Sequence, residues 1–191
     1  MNLTITYFWN DYGEGEGPQK FVAAIARVYP RADIVNCAIR CKKEHMMAAR
    51  TTSYSGARRR ISGDMIFCDT DLVATKRVDV FEKGINIGVT RTKDATPLMP
   101  YNGGVIFASD TAEAKMFFDE IARCATVLPT NFGNYLWYID QLALGYVAKG
   151  NSAVTVLDER YNYIPKGPED VPEDVYFMHY KGNRKGWIKS A

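Results

Sequence analysis

No apolar run in this sequence approaches the roughly 18 residues that a membrane-spanning helix needs. Residues 1–9 lack the basic start and long apolar stretch of a secretory leader. The net charge is only +2, too small an excess to draw the chain to nucleic acid or to a membrane surface. Cysteine is sparse. Cys37, Cys41, Cys68 and Cys124 stand at spacings that match neither a zinc site nor a disulfide framework. Free cysteines beside apolar residues behave as small hydrophobes and fit a reducing compartment. The expectation is a soluble, cytoplasmic protein without nucleic-acid partners. Histidine is scarcer still, with His45 and His179 alone, so imidazole chemistry has two places to occur. There are no repeats, no low-complexity tracts and no linker.

What is present is an ordinary globular composition, 47% apolar and 24% charged over 191 residues. That length suits one domain, which buries roughly 70% of the surface of its unfolded chain. Residues 2–9 are β-branched and aromatic and predict a strand. A Gly-rich loop, Asp11 to Pro18, follows, then a helix on which Phe21, Val22, Ile25, Val28 and Tyr29 recur at helical spacing. A second strand runs from Ile34 to Ile39. This βαβ order predicts a parallel sheet. Further strands are predicted at 65–68, 85–90, 105–108, 153–157 and 175–178. One helix is predicted after a capping pair, Asp110 and Glu113, with Phe117, Ile121, Cys124 and Leu128 inward. Another is predicted from Tyr135 to Ala148, with Leu136, Ile139, Leu142, Ala143 and Tyr146 inward. Between them in chemistry lies a polar, basic stretch, 42–62, read as a short helix at His45 to Arg50 and a loop at Thr51 to Gly56.

Two segments carry chemistry. Met65-Ile66-Phe67-Cys68 is an apolar strand running straight into Asp69-Thr70-Asp71. Residues i and i+2 of a strand share a face, so both carboxylates can enter one cleft at the carboxyl edge of a sheet. Two close carboxylates repel unless a cation lies between them, and Mg²⁺ or Mn²⁺ takes such oxygen ligands. The alternative is a solvated turn in which the aspartates bond local backbone. The second segment is His179-Tyr180-Lys181-Gly182-Asn183-Arg184-Lys185-Gly186-Trp187. It offers an imidazole ligand, a glycine that lets backbone N–H groups approach phosphate, and a cation for the same anion. Lys181, Arg184, Lys185 and Lys189 form a C-terminal basic group that could serve a polyanionic ligand such as a diphosphate; the alternative is a basic, mobile terminus.

Taken in order, Asp-x-Asp after a strand, Asn102-Gly103-Gly104 before a strand, Asp140-Gln141 in a helix and His-x-x-Gly-x-x-Lys-x-Trp near the end resemble the GT-A-fold glycosyltransferases. The likeness is greatest to the family-8 type, which includes glycogenin and galactosyltransferases, and covers roughly 2–12 and 60–189. It implies a GT-A-like α/β/α sandwich with a mostly parallel central sheet, acting as one catalytic domain. It also implies sugar transfer from a nucleotide-sugar donor to an acceptor, with retention of configuration. By the same resemblance Asp69, Asp71 and His179 bind Mn²⁺ or Mg²⁺, and Gly182 and Lys185 contact the donor diphosphate. Asn102 and Gly103 touch sugar or acceptor. Asp140, with Gln141 beside it, reaches the transferred sugar. Tyr7, Phe8, Asn10 and Tyr12 hold the nucleotide, and Thr70 joins the donor site. From charge alone, Arg60, in the Arg58-Arg59-Arg60 run, is expected on the diphosphate or ribose.

The chain departs from the family at Gly186, where Pro usually precedes the final Trp, and in a short stretch before Asp69. Two other readings stay open. Phe67 to Val73 also resembles the first motif of haloacid-dehalogenase-type phosphatases, although two strands precede it here. A non-catalytic nucleotide-sugar-binding module would need the same donor residues.

Overall fold

The computed structural model describes residues 2–10, 17–92, 95–128 and 133–188, with the side chains of 133–135 excepted. Tyr12, proposed for the nucleotide, and Lys189, of the C-terminal basic group, lie outside the described residues. The strands are β1 (Leu3–Tyr7), β2 (Asp33–Asn36), β3 (Asp64–Cys68), β4 (Leu72–Ala74), β5 (Ile87–Arg91), β6 (Tyr101–Ala108), β7 (Val154–Leu157) and β8 (Phe177–His179). The helices are α1 (Gln19–Val28), α2 (Met46–Arg60), α3 (Ala112–Val127) and α4 (Ile139–Ala148).

Six strands form the central sheet in the order β2-β1-β3-β6-β5-β7. All neighbouring pairs are parallel except the two made by β6, which runs against β3 and β5. The alternation of β3 divides the core. Met65 and Phe67 face α2, α3 and α4, while Ile66 and Cys68 face α1 and a small two-stranded sheet of β4 and β8. Strands buried on both faces read as unbroken apolar runs, which is why Met65 to Cys68 was legible as a core strand. The result is the three-layer, mostly parallel sandwich expected. Among the described residues no helix is long and apolar enough to cross a membrane. The four cysteines are free thiols.

Several expectations change. Thr51 to Gly56 is not a loop; it is the middle of α2, a fifteen-residue helix. Its buried face is Ala49, Ser53, Tyr54, Ala57 and Arg58, too polar a set to announce an apolar stripe. Asp110 does not cap α3. Thr111 does, its hydroxyl accepting from the Ala114 amide, while Asp110 accepts from the Gly63 amide and Arg58. The helix expected from Tyr135 begins only at Ile139, after a 3₁₀ turn, and Leu136 in that turn and Tyr146 on α4 are exposed rather than inward. The buried arc turns instead through Asp140, Leu144 and Gly145, where the Leu98 carbonyl would stand 2.5 Å from any Cβ on Gly145. The triplet Asn102-Gly103-Gly104 lies inside β6, not before it. Strand β4 was not foreseen.

The C-terminal end of α2 is anchored by Arg58, whose side chain is fully buried. It donates to the carbonyls of Ile61 and Ala108 and to Asp110. That anchor sets the helix against β3 and β6 and so fixes where its other end lies.

Candidate functional site

The carboxyl ends of β1 and β3 open on one edge of the sheet. Antiparallel β6 begins at that edge, so Asn102-Gly103-Gly104 arrives beside the end of β3; the Asp69 amide bonds the Gly104 carbonyl at 2.8 Å. Residues 69–71 then turn from β3 into β4. Because β4 pairs with β8 in the register Leu72 to His179, the last residue of β8 is delivered to the aspartates. The Tyr180 amide bonds the Asp71 carbonyl and locks that meeting. Two motifs 108 residues apart in numbering, at 71 and 179, thus share one cleft by strand pairing.

His179 is fully buried. Its Nε2 lies 3.1 Å from Asp71 Oδ1 and 3.6 Å from Asp69 Oδ2. One ligand atom from each of Asp69, Asp71 and His179 falls within 4.8 Å of the others. Neither Nε2 nor Asp71 Oδ1 has a hydrogen-bonding partner in good geometry, although both are buried. An unpartnered buried nitrogen facing an unpartnered carboxylate oxygen is costly unless a cation lies between them. Neighbouring ligand atoms of an octahedral ion at about 2.1 Å stand about 3.0 Å apart, and mixed oxygen and nitrogen sets are taken by Mn²⁺ and Mg²⁺. The donor set and its spacing fit such an ion. Lys185, whose side chain is largely exposed, holds Nζ 3.4 Å from Asp71 Oδ2.

A residue that sequence reasoning missed occupies the centre. Arg50, in the first half of α2, ion-pairs with Asp69 through Nη1 and with Asp140 through Nη2. Its planar fork spans two carboxylates as no lysine can. Burial opposes its charge, yet Asp140 and Asp69 outweigh burial and raise its pKa. Asp140 enters from the first turn of α4; burial raises its pKa, and Arg50 opposes the rise. Its second oxygen, Oδ1, is buried without a partner. The signal for Arg50 was there: Arg50, Tyr54 and Ala57 repeat at helical spacing through the stretch read as a loop.

Lys181, expected only as a member of the C-terminal basic cluster, has a defined place in the cleft. It donates to Asn102 Oδ1 at 3.0 Å, and that oxygen also accepts from the Gly104 amide. Burial lowers the Lys181 pKa, against the pull of Asp69 and Asp71. The cleft therefore balances three carboxylates, Asp69, Asp71 and Asp140, with Arg50, Lys181 and Lys185.

Of the other expected residues, Asn102 is buried and Gly103 lies against Arg50 and Gln141: a Cβ on Gly103 would sit 3.3 Å from Arg50 Nη2 and 3.8 Å from Gln141 Cγ. Thr70 lies in the turn between the aspartates, half-buried. Gly182 has φ +58°, the left-handed conformation that favours glycine, at the start of a 3₁₀ turn, 182–187, that carries Lys185. Tyr7 packs edge-on against Phe21, Phe8 is in the core, and Asn10 donates to the Ile39 carbonyl. Arg60 is not brought to the aspartates. Its guanidinium folds back along α2 to Gly56, six residues beyond Arg50.

Gly104 has a steric role. Between Val89 and Thr90 the β5–β6 register slips, so that Gly103, Gly104 and Val105 of β6 have no partner on β5. A Cβ on Gly104 would stand 2.1 Å from His179 Cε1. Gly104→Ala is expected to push the imidazole out of line, weaken Mn²⁺ binding by more than tenfold, and destabilise the fold by about 1–3 kcal/mol through overpacking. Calorimetric titration and urea denaturation measure the two effects.

This sheet order, with one antiparallel strand beside an Asp-x-Asp turn at the carboxyl edge, is the fold of GT-A glycosyltransferases. The chain is similar to the solved crystal structure of a glycosyltransferase involved in the glycosylation of the major capsid of PBCV-1. The TM-score is 0.68 at 16% identity, and the likeness covers 98% of each chain. At that identity the likeness is one of fold. No protein-family model matches the sequence, and no curated protein matches it.

Proposed function

We propose that this chain is a metal-dependent glycosyltransferase of the family-8 type, a single catalytic domain over 1–191. It moves a sugar from a UDP- or GDP-sugar to an acceptor glycan, protein or small molecule, with retention of configuration. The free thiols support a cytoplasmic setting. The observation that carries the reading is the cluster of half-buried Asp69 and Asp71 with buried His179 at the carboxyl edge, with two lone-pair atoms left unpartnered. Asp69, Asp71 and His179 would hold Mn²⁺ or Mg²⁺. Once bound, the ion neutralises the donor diphosphate and makes it a competent leaving group.

The chain's own groups do the rest. Lys185 and Lys181 present positive charge where the diphosphate gains it on departure, which is electrostatic stabilisation. The left-handed turn at Gly182 lets the backbone approach the phosphates closely. Arg50 holds Asp140 so that its free Oδ1 meets a hydroxyl of the transferred sugar. Asn102 and Gly103 line the wall beside it, and Gln141 abuts Gly103. The phosphatase motif belongs on the first strand of its core, whereas here the Asp-x-Asp turn follows β3, which two strands precede in the chain.

The test is calorimetry with a panel of UDP- and GDP-sugars, with Mn²⁺ and with a chelator, followed by assay of sugar release. Metal-dependent binding with donor turnover supports the reading. Binding without turnover favours a non-catalytic module. Failure of every donor to bind with metal, or hydrolysis of an aryl phosphate, defeats it.

A further inference from the structure

His179 is held from behind. Its Nδ1 lies 2.8 Å from Asn162 Oδ1, and Asn162 Nδ2 donates to Thr90 Oγ1 at 3.1 Å. Asn162, Thr90 and His179 are all buried, so no solvent competes for these bonds. Backbone pairing fixes the approach: the Tyr163 amide bonds the Phe177 carbonyl, and the His179 amide bonds the Tyr163 carbonyl. Asn162 is therefore carried alongside the end of β8, and Thr90 reaches it from the slipped end of β5. Gly104 leaves the ring space on one flank.

An amide whose nitrogen donates to Thr90 turns its oxygen to the ring. Nδ1 then carries the imidazole proton, and Nε2 is left as a bare lone pair toward Asp71 and Asp69. We infer that Asn162, steadied by Thr90, is a positioning residue that locks His179 in the Nδ1–H tautomer and so makes Nε2 a divalent-cation ligand. This rests on the metal-binding reading above. The reason is chemical: a ligating histidine needs its other ring nitrogen tied to an acceptor, and such outer partners are worth about 10–100-fold in metal affinity. The Nε2–H tautomer would turn a proton toward the ion and close the site.

The sequence has only two histidines, so long-range ¹H–¹⁵N NMR of the ¹⁵N-labelled chain saturated with diamagnetic Mg²⁺ reads the ring directly, with His45→Gln assigning the other signal. With Mg²⁺ bound, at pH 8, the His179 ring is expected to show a protonated Nδ1 and an Nε2 that carries no proton. An Nε2–H pattern, or a doubly protonated ring, overturns the inference. In calorimetry Asn162→Leu is expected to weaken Mn²⁺ binding about 10–100-fold, and Asn162→Asp, which keeps the acceptor, to restore most of it. Asn162→Leu binding Mn²⁺ as tightly as the unaltered chain also overturns it. Thr90→Val, nearly isosteric, gives the same readout at smaller size should Asn162→Leu fold poorly. A chain that binds no Mn²⁺ sinks the metal reading, whereas undiminished Mn²⁺ affinity in Asn162→Leu sinks only the role of Asn162.

Discussion

Asp71→Ala is expected to lose Mn²⁺ binding and, with it, binding of the nucleotide-sugar donor. Asp71 contributes the carboxylate oxygen nearest His179 Nε2, at 3.1 Å, and that oxygen has no other partner. Deleting a direct ligand should cost more than the roughly 100-fold that marks the upper range for an outer-shell partner. The fold should survive. The side chain lies in a turn outside the apolar clusters, and the Asp71 carbonyl that accepts from Tyr180 belongs to the backbone. Circular dichroism and metal-free melting provide the control, calorimetry with Mn²⁺ the measurement. Tight Mn²⁺ binding by the variant would mean that the ion, if any, sits elsewhere.

Arg50→Met is expected to be the most destabilising single change in the cleft, about 3–5 kcal/mol in urea unfolding, because it strands buried carboxylates without their cation. Arg50→Lys should recover little, since one ammonium cannot span Asp69 and Asp140. A double variant, Arg50→Met with Asp140→Leu, should regain a substantial part of the loss, because the strongest uncompensated charge is gone. The pH dependence has a definite sign. Burial raises the Asp140 pKa in the folded state, and Arg50 opposes that rise. An acid with a raised folded pKa contributes stability that is complete below its unfolded value, about 3.9, and is lost as pH climbs through the raised one. Removing Arg50 enlarges the rise. The deficit of Arg50→Met against the unaltered chain should therefore be greatest near pH 8 and narrow toward pH 5. A deficit under about 1 kcal/mol, or one that widens on acidification, contradicts the role given to Arg50.

Which parts were readable follows from the physics of each segment. Strand β3 and helices α1 and α3 were plain because their apolar residues recur at a fixed period against one or two core faces. The aspartates, His179, Lys185 and the Asn-Gly-Gly segment were found by residue type and order. Helix α2 was not, since its inner face carries Arg50, Ser53 and Arg58, charged and polar groups that only tertiary partners satisfy. The same holds for the place of Lys181 and for Asn162: a lysine and an asparagine in polar stretches are unremarkable until Asn102 and His179 stand beside them.

By itself, then, the amino-acid order determined the alternation of elements, the parallel sheet, and the candidate ligands Asp69, Asp71 and His179, because periodicity and local composition are properties of neighbours along the chain. Only the tertiary structure decided that β4 pairs with β8 and so brings those ligands together, that Arg50 rather than Arg60 faces the acids, and that Asn162 backs the imidazole. Those outcomes depend on strand register, on the burial of charge and on contacts across many residues, none of which has a signature within a short window of sequence.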